Sequence, residues 1–141
     1  MIDIENIVIN TLSKHLSTEY PTASLSGEFV EVPENFPHVC ITQDDNSVYT
    51  RTLDNDLEEH HANIMFTVNV YSNSLTGKKS ECKKIAAAVD ECMSAMRFTR
   101  TMMSPVPNVD RSIYRITMRY KAVAGRGVSI GDDTVFQIYR K

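Results

Sequence analysis

From Ser112 to Ala124 the sequence runs SIYRITMRYKAVA, and its side chains sort by parity. Tyr114, Ile116, Met118, Tyr120 and Ala122 fall on one side. Arg111, Arg115, Thr117, Arg119 and Lys121 fall on the other, interrupted only by Ile113 and Val123. A period of two is the pattern of a strand with one face in a core and the other in water. The stretch commits the chain to a sheet with a covered face. It also leaves a basic face, with Arg115, Arg119 and Lys121 spaced roughly 13 Å and 7 Å apart along the strand. What that face meets is the main functional question.

Residues 62–72 repeat the alternation, with Ile64, Phe66, Val68 and Val70 inward and Met65, Thr67, Asn69 and Tyr71 outward. Two segments follow the helical period instead. Residues 2–17 carry Ile4, Ile7, Val8, Leu12 and Leu16, with Asp3 and Glu5 in the first turn. Residues 78–97 carry the stripe Cys82, Ile85, Ala86, Val89, Met93 and Met96, with Lys79, Lys83, Lys84 and Glu91 off it. Two prolines in PENFPHVCIT exclude a helix there, and Val39-Cys40-Ile41 reads as a short buried strand, placed over 38–42. Residues 22–32 read as extended but irregular. Residues 43–60 show no period and read as a long exposed acidic loop, ordered only against a partner. Phe98–Met103 and Val135–Tyr139 read as short strands, and Gly125, Gly127 and Gly131 as punctuation of a second loop. The order predicts a single α+β domain: a mainly antiparallel or mixed sheet with two amphipathic helices packed on one face.

At 141 residues the chain has the length for one core. No apolar run is long enough to span a bilayer, and MIDIENIVINTLSKH lacks the basic n-region of a secretory signal. Three cysteines without framework spacing suggest free thiols in a reducing compartment. The net charge of −3 argues against a general nucleic-acid binder, yet charge is unevenly placed. Asp44, Asp45, Asp54, Asp56, Glu58 and Glu59 make the middle acidic, whereas the stretch from Arg97 onward is basic on balance. Surfaces of both signs suit contact with copies of the same chain or with a charged partner.

No motif with workable catalytic spacing is present. His60-His61 follows Glu58-Glu59, but adjacent side chains diverge, and neither HExxH nor a CxxC pair occurs. The acids at 44–45, 54, 56 and 132–133 fall in segments read as loops, whereas a two-metal site needs acids projected from rigid elements. Cys40, Cys82 and Cys92 are placed as core packing. GRG at 125–127 fits neither GxxxxGK[ST] nor GxGxxG. The residues alone favour an interaction protein. A small DNA-binding or nucleic-acid-processing protein using the basic strand face is the alternative, although aromatic residues that would stack on bases are missing between Arg115, Arg119 and Lys121. A metal-dependent hydrolase ranks last.

The order of segments resembles a known family. An amphipathic helix leads to ENFPHVCIT. NVYSNSLTGKKSECKKIAAAVDECM follows as strand, turn and helix. FTRTMMSPVPNVDRSIYRITMRYKAV then supplies a strand, a Pro-Asn-x-Asp turn and a strand ending R…RY.A. From about residue 3 to 124 this resembles the tail-terminator, or tail-completion, proteins of long-tailed bacteriophages, often described as minor capsid proteins. The resemblance implies a virion protein, assembled in the host cytoplasm, that forms a hexameric ring at the head-proximal end of the tail tube. Such a ring stops tube polymerisation and joins the head-closure or connector complex, and DNA passes through its lumen without sequence-specific binding. It implies no catalysis, no metal and no cofactor. Within that frame Arg111, Arg115, Arg119 and Lys121 are expected to form an assembly or lumen-facing surface. The acidic segment 44–59 of a neighbour is its expected counterpart, and reversing Arg115 and Arg119 is expected to spare the monomer fold.

Overall fold

The computed structural model describes residues 3–30, 33–48, 61–107, 110–130 and 133–139. Helices α1 (Glu5–Glu19) and α2 (Lys78–Ala95) lie on one face of a sheet. Its strands are β1 (Ser24–Ser26), β2 (His38–Val48), β3 (His61–Ser72), β4 (Thr99–Pro105), β5 (Tyr114–Ile130) and β6 (Asp133–Tyr139). The order across the sheet is β1-β2-β3-β5-β4, with β6 also on β5. β1 runs parallel to β2, and every other pairing is antiparallel. The sheet is therefore mixed and the fold is α+β. β4 pairs with β5 up to Lys121 and β6 takes over from Val123, so the two share one flank of β5 end to end.

The alternating residues meet the helical stripes as their periods require. Ile64, Phe66, Val68 and Val70 of β3 and Ile116, Met118, Tyr120 and Ala122 of β5 are buried. They pack with Val8, Leu12 and Leu16 of α1 and with Cys82, Ile85, Ala86, Val89 and Met93 of α2. Phe98 closes this core against Phe66 in an edge-to-face pair with ring centres 5.6 Å apart. Such a pair adds about 0.5–1.5 kcal/mol beyond its area. Ile7, expected on the α1 stripe, is 46% exposed and belongs to the outer face. Tyr120 reaches through the core edge to donate to Asp90 Oδ1 at 2.9 Å, and Asp90 pairs with Arg100 of β4 at 3.1 Å. The phenol is held above its ordinary pKa, first by burial and then by the Asp90 carboxylate.

α2 ends in a Schellman motif without glycine. Phe98 N–H donates to Met93 O at 3.0 Å and Arg97 N–H to Ser94 O at 2.9 Å. Arg97 takes φ 71° at the position where glycine is usual. The buried Met93 and Phe98 supply the apolar contact that accompanies the turn.

Two segments expected as loops are strands. Residues 43–48 extend β2, whose register slips between Gln43 and Asp45. This bulge leaves Asp44 as the extra residue and breaks the alternation on which the sequence reading relied. The remainder of the expected acidic loop, 49–60, lies outside the described residues. Gly125 and Gly127 do not interrupt β5 either. They continue it, and β6 pairs with this continuation across a second irregularity between Arg126 and Ser129. Gly131 lies outside the described residues.

Candidate assembly surface

The sheet face away from the helices carries the predicted site. Cross-strand register assembles it in rows: His38–Tyr71–Arg115, Cys40–Asn69–Thr117, Thr42–Thr67–Arg119 and Asp45–Met65–Lys121. Its two ends differ. Residues 26–30 and Phe36 shield the first. Tyr71 was expected outward, but it is fully buried there, donates to Val30 O at 2.8 Å and packs with Cys40, Ile113 and Phe36 in a second small core.

His38 anchors the edge of this cover. Its ring lies between two serines of β1, with Ser24 Oγ on Nδ1 and Ser26 Oγ on Nε2 at 3.1 Å. Ser26 Oγ donates to Glu28 O at 3.0 Å, which leaves it to accept from Nε2, and Ser24 Oγ lies against both Nδ1 and Pro37 O. Burial pulls the ring's pKa below the ordinary value and so favours its neutral form. This imidazole ties down both serines of the three-residue strand, while Leu25 between them packs against the main core.

The other end is an open groove of about 550 Å³. Asp44 and Asp45 stand on its β2 side, and Arg115 and Arg119 on its β5 side, with Met65, Thr67 and Thr117 between them and Phe29 at one end. The bulge presents both aspartates to the groove, and Asp44 Oδ2 accepts a hydrogen bond from Thr67. Among the described residues no ion pair crosses it.

The basic row is not uniform. Arg111 lies before β5 in an exposed turn, where its carbonyl accepts from Lys78 Nζ at 3.0 Å. Arg115 is half-buried and held from three directions. Its Nε donates to Asn69 Oδ1 at 3.0 Å, and its guanidinium lies 5.4 Å from the Phe29 ring centre and 5.7 Å from that of Tyr71. The buried Asn69 also accepts from Thr117 Oγ1 at 2.7 Å. Arg119 is exposed and Lys121 half-buried. Arg115 therefore belongs to the fold as much as to the surface. The expectation that reversing it spares the monomer is revised for that reason, and Arg119 is the basic residue free to meet a partner. Asp54, Asp56, Glu58 and Glu59 lie outside the described residues.

Asn69, Thr117 and Phe29 were not singled out by sequence reasoning. Asn69, a polar residue between Val68 and Val70 in a strand, was the available signal. The cysteines are all buried and unpaired. Cys82 donates to Val70 O at 3.1 Å, and burial pushes its thiol up to about 12. It is thus kept protonated and a poor nucleophile at neutral pH. No helix of the described residues is long and apolar enough to cross a membrane. No protein-family model matches the chain, and no curated protein matches it in sequence.

Proposed function

We propose that this chain is a structural virion protein of the tail-terminator kind, forming a ring at the head-proximal end of a phage tail tube. The ring ends tube growth and presents a surface to the head-closure or connector complex. The observation that carries the reading is the one-sided layering of the fold, taken with the order of its segments. Both helices cover one sheet face, and the opposite face offers a groove with acids along one wall and basic residues along the other. A surface of both signs can meet another copy of itself, because each subunit supplies what its neighbour needs. Arg119, Asp44 and Asp45 are the exposed charges available for that contact. DNA binding through the basic face is the weaker reading. Arg115 is tied to Asn69 and two rings, and the aspartates beside the row oppose phosphate.

The test mixes the purified chain with the tail-tube protein of the same genome. Electron microscopy and light scattering should show rings of hexameric mass and tubes whose length stops increasing. Arg119→Glu and the Asp44→Lys/Asp45→Lys pair should each weaken ring formation while leaving circular dichroism unchanged. Tubes that grow without limit in the presence of the chain overturn the proposal. So does a chain that stays monomeric but binds duplex DNA with a steep salt dependence.

A further inference from the structure

His15 and Glu19 stand one turn apart on the last turns of α1, and Glu91 faces them from α2. One ligand atom from each lies within 4.8 Å of the other two. We propose that these three side chains form a binding site for a borderline divalent cation of the zinc type, bridging the two helices. The inference is independent of the ring reading.

Three observations converge on it. His15 Nε2 is a buried atom with no hydrogen-bond partner among the described residues. Its nearest charged neighbour, Glu19 Oε2, is 3.7 Å away, in Coulombic range but too long for a hydrogen bond. A buried polar atom left unmatched is costly, and a cation accepting the imidazole lone pair would match it. Second, Glu19 and Glu91 put like charges at one point, and among the described residues His15 alone lies within ion-pair range of either. Third, the last turn of α1 contains no basic residue and ends on Glu19, so the negative end of the helix dipole adds to the same negative field.

The donor set selects the ion. One imidazole with two carboxylates suits zinc and its late first-row neighbours, whereas magnesium seeks oxygen ligands only and sheds its waters reluctantly. Zinc bonds to nitrogen and oxygen at about 2.0–2.2 Å. The partly exposed glutamates can close that far by rotamer change, with water completing the shell. The site is not legible in the sequence because its third member comes from a helix distant in the chain.

The experiment is thermal unfolding of the full chain, first stripped with chelator, against added Zn²⁺. A hundredfold excess over the dissociation constant should raise the midpoint by roughly 5–10 °C, with one ion per chain by titration calorimetry. The shift should persist in a His60→Ala/His61→Ala variant. It should vanish in His15→Gln and in Glu91→Gln, which remove one donor each from partly solvated positions. Mg²⁺ at the same concentration should give less than about a tenth of the shift. In ¹H–¹⁵N spectra of the wild type, Zn²⁺ should move the His15 ring resonances. The proposal is overturned by an unchanged wild-type midpoint, by an equal shift in His15→Gln, by an equal response to Mg²⁺, or by unperturbed His15 resonances.

Discussion

Replacing Arg115 and Arg119 in turn by alanine separates the folded-in part of the basic face from its free part. Removing Arg115 deletes a charge-assisted hydrogen bond to the buried Asn69, of a class that contributes about 1.5–3 kcal/mol. It also deletes two cation–π contacts, each about 0.5–1 kcal/mol where water has access. The three share one guanidinium and are not additive, and Asn69 keeps its bond from Thr117. The net loss should be about 2–3 kcal/mol. Arg119 has no such ties, and its removal should stay within about 0.5 kcal/mol. Urea unfolding followed by circular dichroism reads the difference. With a slope near 2 kcal/mol/M, Arg115→Ala should lower the midpoint by about 1–1.5 M and Arg119→Ala by no more than about 0.25 M. Arg115→Lys keeps the charge but lacks the planar Nε–H, and should recover less than half of the loss. Equal midpoints for the two alanine variants would refute the claim that Arg115 is a structural residue.

Other perturbations probe separate parts of the molecule. Arg97→Gly removes a left-handed strain of about 1 kcal/mol but adds unfolded-state freedom of similar size, so thermal unfolding should show no loss and a gain of at most about 1 kcal/mol. Arg97→Ile should lower stability by about 1 kcal/mol or more. Tyr120→Phe should cost about 1 kcal/mol, and most of that cost should disappear when Asp90 is already alanine, a coupling measurable in a double-mutant cycle. His38 is held below its ordinary pKa of 6.5 in the fold, so the unfolded chain takes up the proton first. Its contribution is complete above pH 6.5 and is lost as pH falls from there through the folded value. Between pH 7.5 and 5 the wild type should therefore lose more stability than His38→Gln in paired urea titrations, and parallel losses would count against the neutral ring.

The helices and the two central strands were legible because each buries one face, and burial writes a period into the sequence. The exceptions have physical causes. A bulge at Asp44 changes the phase of β2, and a strand that changes phase looks aperiodic. β1 is three residues long, too short to write a period, and only Leu25 between its two imidazole-bound serines packs on the core. Gly125 and Gly127 look like turn residues, yet they lie in a strand that β6 returns to pair with. Tyr71 obeys the alternation and is buried even so, because a segment distant in sequence folds over the outer face. The charged residues of the groove were visible individually. Their division into bound Arg115 and free Arg119 depends on Asn69, Phe29 and Tyr71, which converge only in three dimensions.

The position of β5 has a consequence for biogenesis. β4 pairs only with β5 among the described strands, and β3 needs β5 to cover the edge that β2 leaves open. The strand that joins the sheet is therefore made after most of what it must join. At roughly 5–20 residues per second, synthesis of residues 73–113 keeps the β3 edge open for roughly two to eight seconds. During that interval the apolar residues Ile64, Phe66, Val68 and Val70 border unpaired backbone, the arrangement that invites pairing with another nascent chain. α2 emerges in the same interval and can lay Ile85, Val89 and Met93 across that apolar face before β5 arrives. On the ribosome the second helix would act first as a shield for an unfinished sheet, and only afterwards as a layer of the finished one.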